Sequence, residues 1–86
     1  MRFVFTHSHA FPGSRVSVEE DGEPGPGCLV EFSDGTIVMS ECRMEGEDIL
    51  LHVPPYRTAR KHAVEGRTWQ LSKAADGTWR CRRAPE

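Results

Sequence analysis

Eighty-six residues, 37% hydrophobic and 28% charged with eight glycines and six prolines, describe one small domain over residues 1–86, since domains usually run to about 100 to 150 residues. At that size only about 60 to 65% of the unfolded surface can be buried, which excludes a deep internal ligand cavity and large-substrate enzymology. The net charge is −2, and no apolar run approaches the roughly 20 residues that span a bilayer. No membrane partner and a cytoplasmic location are therefore expected.

Three cysteines, Cys28, Cys42 and Cys81, are too few and too far apart for a disulfide scaffold, and an odd count leaves one thiol over. None belongs to a Cys-x-x-Cys pair, so they read as small buried hydrophobes in a reducing compartment. Charge is divided unevenly along the chain. Residues 1–48 hold ten acids and three bases, and residues 49–86 hold three acids and eight bases.

In chain order, residues 2–7 carry Phe3, Val4 and Phe5, and residues 15–19 alternate Val16 and Val18 with polar side chains; both read as strands. Residues 20–27, rich in Gly and Pro, form the clearest loop. Asp34-Gly35 is a dipeptide that two-residue type I′ turns favour. A hairpin of 28–33 with 36–44 is expected, placing Phe32 opposite Ile37, Val30 opposite Met39 and Cys28 opposite Glu41. After a turn at 45–48, residues 49–53 direct Ile49, Leu51 and Val53 to one face and Leu50 and His52 to the other, until Pro54-Pro55 stops the strand.

Thr58 as a cap and Gly66 as a terminator leave room for one short helical turn over 58–65. The last two strands, 67–73 and 78–83, meet across Ala75-Asp76-Gly77. A three-residue loop with Gly77 left-handed gathers Trp69, Leu71, Trp79 and Cys81 on one face and sends Gln70, Ser72, Arg80 and Arg82 outward. The sum is an all-β fold of about six to seven strands, a small antiparallel barrel or rolled sheet, because a flat sheet of this size would leave too much apolar surface wet.

Few constellations carry chemistry. His7-Ser8-His9 puts two imidazoles on one side of an extended segment, a pair that chelates a transition metal when a third ligand such as His52, His62 or Cys42 approaches. No nucleophile elbow, phosphate loop or calcium loop is present, Glu19, Glu20, Asp21 and Glu23 lacking the alternation of the last. Pro54-Pro55-Tyr56 lacks the spacer residue of a proline–tyrosine recognition motif. No catalytic residue and no cofactor is assigned.

The C-terminal cluster Tyr56, Arg57, Arg60, Lys61, Arg67, Arg80, Arg82 and Arg83 is the candidate binding surface. Cations interleaved with aromatics hold single-stranded nucleic acid, but Trp69 and Trp79 fall on the apolar face. The leading expectation is a non-enzymatic binding module for an acidic protein partner, or one that self-associates through an edge strand. Single-stranded nucleic acid is the first alternative, and metal binding or a metal-dependent activity at His7 and His9 the second.

Overall fold

The computed structural model describes residues 1–20 and 22–84. Their strands are β1 (Arg2–Phe5), β2 (Arg15–Glu19), β3 (Pro26–Glu31), β4 (Ile37–Glu45), β5 (Asp48–Val53), β6 (Tyr56–Arg57), β7 (Ala63–Val64), β8 (Arg67–Lys73) and β9 (Trp79–Arg83). Seven close into a barrel in the order β1-β2-β9-β8-β5-β4-β3, and β6 and β7 form a separate two-stranded sheet. Among the described residues no helix is long and apolar enough to cross a membrane.

Chain connectivity explains the closure. Strands β3, β4, β5, β8 and β9 form an antiparallel meander, and the β1–β2 hairpin fills the gap between its ends. Strand β2 pairs antiparallel with β9, Arg15 facing Arg80 and Val16 facing Trp79. Strand β1 pairs in parallel with β3, Phe3 facing Val30. The orientation is therefore mixed, with one parallel seam that hairpin signals alone did not contain, and β2 with the Gly/Pro-rich loop provides the long crossover such a pair requires. Every barrel strand thus has two neighbours, and among the described residues the open strand edges belong to the β6–β7 sheet.

Alternation along the strands fills the interior with Phe3, Phe5, Val16, Cys28, Val30, Phe32, Val38, Cys42, Ile49, Leu51, Val53, Trp69, Leu71 and Cys81. The β8–β9 register is the expected one, Leu71 facing Cys81 and Lys73 facing Trp79. The β3–β4 register differs from expectation by one residue: Val30 faces Val38, Leu29 faces Met39 and Cys28 faces Ser40. Ile37 and Met39, expected inside, are 62% and 61% exposed, while Val38, Ser40 and Cys42 turn inward.

The turn causes that shift. Phe32 N donates to Thr36 O and Gly35 N to Phe32 O, so the loop has three residues, with Gly35 left-handed at φ +90°. Thr36 N donates to the Asp34 carboxylate, and hydrogen bonding to Thr36, through its side chain first and its amide second, holds this carboxyl below its ordinary pKa. A type I′ turn would need positive φ at Asp34 as well. The β8–β9 turn repeats the device with Ala74, Asp76, Gly77 and Thr78.

Residues 58–65 hold no helix. Thr58 N donates to His62 O, and Lys61 N to Thr58 O, the same bulged turn with Lys61 at φ +64° in place of glycine. Gly66 serves close packing instead of a helix end: a Cβ there would lie 2.8 Å from Pro55 Cδ and 3.1 Å from Val53 O. The β6–β7 hairpin is thus a pinched excursion from the barrel. Thr36 Oγ1 accepts from Ala59 N at 2.8 Å, and Tyr56 stacks on Phe32 with ring centroids 5.6 Å apart, folding the excursion over one barrel mouth.

Candidate functional site

The barrel separates the expected surface into three regions. At the mouth under the β6–β7 hairpin, His9, Phe32, Tyr56, Val64, Arg67 and Trp69 line a cleft of about 460 Å³. Burial raises the Tyr56 phenol above its ordinary pKa, with the Asp34 charge adding to it. Arg57, Arg60 and Lys61 stand exposed on the hairpin itself.

Around the outside, strand parity builds the second region. Odd positions of β4 and even positions of β5 and β8 face solvent, so Glu41, His52 and Thr68 form one lateral row and Arg43, Leu50, Gln70 and Arg82 the next. Arg43, His52, Arg67, Thr68 and Arg83 line a groove of about 560 Å³. It continues through Arg43, Leu50, His52 and Thr68 into a second depression of about 410 Å³ that reaches Gly25, Pro26, Glu41 and Cys42. Arg67 borders both this groove and the mouth cleft, its guanidinium 5.8 Å from the centre of the Trp69 ring.

Arg80 and Arg82 lie farther along β9. Asp48 accepts from Gln70 Nε2 at 2.6 Å and from Ser72 Oγ at 3.1 Å, and Arg82 approaches the same carboxylate at 3.6 Å. Arg80 donates to Gly13 O and faces Arg15 across the β2–β9 pair. Arg82 is thus occupied within the sheet. Among the described residues, only Arg82 and Arg2 of the cations lie within ion-pair distance of a carboxylate, Arg2 bridging Glu19 and Glu31 at the β1 seam.

The third region is the β1–β2 loop. His7 and His9 flank Phe11, with ring centroids 4.9 Å and 5.3 Å from it, and their Nδ1 atoms lie beside Thr6 and Ser8 hydroxyls. Among the described residues no group of three His, Cys, Asp or Glu side chains gathers there or elsewhere.

Sequence reasoning placed Arg67 and Arg83 on the binding surface, gave His52 only as a conceivable metal ligand, and missed Arg43 and Thr68. Arg43 lies in the acidic half of the chain, and only the β4–β5 register, which sets it opposite Leu50, brings it near the C-terminal bases. Parity alone pointed the wrong way: Arg43 shares the strand face of Ile37 and Met39, which the two-residue turn assigns to the interior, and the one-residue register shift of β3–β4 is what turns it outward. Of the acidic tract, Asp21 lies outside the described residues.

No family model, curated protein or solved structure matches the chain. Its class is defined by architecture, a small closed barrel of mixed strand orientation with a cation-lined outer groove.

Proposed function

We propose that this protein is a non-enzymatic cytoplasmic binding module whose outer groove takes an acidic segment of a protein partner. The observation that supports the reading is the convergence of Arg43, Arg67 and Arg83 on one groove, none with a carboxylate within 4.0 Å among the described residues. Guanidinium groups recognise carboxylates through paired donors at low cost in hydration. Thr68 and His52, joined at 3.0 Å, add hydroxyl and imidazole positions between them.

The aromatics favour this over single-stranded nucleic acid. Trp69 is only 6% exposed, Trp79 packs against the core and Tyr56 already stacks on Phe32, so the flat free faces on which bases stack are scarce.

A fluorescein-labelled glutamate-rich peptide, titrated by anisotropy at low and moderate salt, tests the proposal. Salt-sensitive binding is expected, weakened roughly tenfold or more by Arg83→Glu and by Arg43→Glu, with thermal unfolding little changed because both side chains are exposed. Absence of binding overturns it, as does tighter binding of a short oligothymidylate accompanied by tryptophan quenching.

A further inference from the structure

We propose that Cys28 and Cys42 are a covalent modification site, closing to a reversible intramolecular disulfide by exchange with a low-molecular-weight disulfide of the glutathione class. Spacing in the sequence gives no hint of such a pair, because these cysteines sit on strands whose register had to be seen.

The strands bring them together through a bulge. Cys28 faces Ser40, while Pro26 faces Glu41, so Gly27 is an extra residue in β3 and adopts φ +88°. Such a bulge bends its strand and re-aims the neighbouring side chain. Here it turns Cys28 diagonally toward Cys42, which points inward on the same face, and the two Sγ atoms lie 2.8 Å apart. That is inside the contact distance of two sulfurs that merely pack together, and a closing movement of about 1 Å brings them to the disulfide bond length. Gly25 O accepts from the Cys28 thiol at 3.2 Å, which fixes that sulfur's position. Cys81, the third thiol, faces Leu71 on the far side of the barrel order.

Access selects the first nucleophile. Cys42 lines the depression beside Gly25, Pro26 and Arg43 and is 5% exposed, whereas Cys28 is buried behind it. The Cys42 thiolate attacks one sulfur of glutathione disulfide, forming a protein–glutathione bond and releasing one glutathione thiolate. The Cys28 thiolate then attacks Cys42 Sγ, forming the Cys28–Cys42 bond and expelling the second glutathione thiolate. Two thiols are oxidised and one disulfide becomes two glutathiones, with the protein's two protons taken up by the departing thiolates. Burial pushes the Cys42 thiol up to about 11, so the first step quickens as pH rises toward that value.

The full-length folded protein, equilibrated in mixtures of reduced and oxidised glutathione, then alkylated under denaturing conditions and digested with trypsin, gives the test. Arg15 and Arg43 bound a tryptic peptide holding both cysteines, residues 16–43 with no lysine or arginine between, and Cys81 falls in another. As the mixture becomes more oxidising, peptide 16–43 is expected to lose both alkylation sites and two hydrogens while Cys81 remains alkylated. Closing a loop of this length should raise Tm by roughly 10–20 °C. In Cys28→Ala the reaction should stop at glutathione held on Cys42. Peptide 16–43 doubly alkylated in every mixture overturns the proposal, as does wild-type protein that keeps glutathione on Cys42 beside an alkylated Cys28. Both readings come from wild-type protein, so a poorly folded variant does not affect them.

Discussion

Lys61 occupies the position that glycine holds in two turns of the same construction. Gly35 and Gly77 sit at φ +90° and +88°, Lys61 at +64°, and a side chain in that conformation costs about 1–2 kcal/mol, partly offset by glycine's greater freedom when unfolded. Lys61→Gly should therefore stabilise the protein by about 0.5–1 kcal/mol in a urea titration, and loss of stability would mean that the Lys61 side chain contributes contacts outweighing its backbone strain. The buried thiols carry a second residue-scale expectation. Burial pushes Cys81 up to about 12, the Ser14 hydroxyl working against it, and Cys42 up to about 11, from an ordinary value of 9.0. The unfolded chain thus releases these protons first. Their contribution is complete below pH 9.0 and is lost as pH rises through the folded values. Between about pH 9 and 12, the denaturant midpoint should fall more steeply for wild type than for Cys81→Ala; parallel curves would show that the thiol stays protonated in neither state preferentially.

Among elements, the β6–β7 excursion depends on its narrow neck. With Pro55 Cδ and Val53 O so close to the place where a Cβ would stand, Gly66→Ala must push the two legs of the excursion apart and should destabilise by roughly 1–3 kcal/mol. Because Tyr56 reports on the mouth through its stack on Phe32, a tyrosine shift in the near-ultraviolet spectrum should accompany the loss, and an unchanged midpoint would show that the neck yields freely. The excursion was illegible in the sequence for a physical reason: two-residue strands have no period to detect, and a lysine gives no sign of a left-handed backbone. Longer elements were legible. Strands over 15–19 and 67–73 have the bounds that alternation predicts, and choosing between loop lengths by the face each assigns to Trp69, Leu71 and Cys81 selected the observed β8–β9 register.

At Asp34-Gly35 the dipeptide suggests a two-residue turn, and the chain forms a three-residue one. What the dipeptide does not reveal is that Asp34 serves as an acceptor for Thr36 N, which leaves only glycine left-handed. Aspartate followed by glycine and threonine, present at both 34–36 and 76–78, marks the bulged three-residue turn in this chain. Its consequence reaches the candidate surface, since the one-residue shift that exposes Ile37 and Met39 also turns Arg43, on the same face of β4, outward into the groove.

At the level of the whole molecule, the opposed charges of the two halves are redistributed by the barrel order. Strand β8 lies between β5 and β9, so Arg82 meets Asp48, and three of the remaining cations, Arg43, Arg67 and Arg83, meet where β4, β5 and the ends of β8 and β9 come together. Only Arg67 and Arg83 of that group were visible in a linear cluster, because a patch on a barrel is assembled across register, not along the chain. The Cys28–Cys42 contact belongs to the same category, made by a bulge that composition does not signal.

The seam between β2 and β9 joins Arg15 to Arg80, whereas the meander pairs neighbours in the chain. Bringing distant segments together loses the most chain entropy and is rewarded only when the pairing forms, so topologies rich in such pairs fold slowly, in milliseconds to seconds. During synthesis β2 is made early and waits for β9 until nearly all of the strands have emerged. Throughout that interval its free edge, and that of the growing meander, are open to other chains; completion of the barrel is the event that ends the exposure.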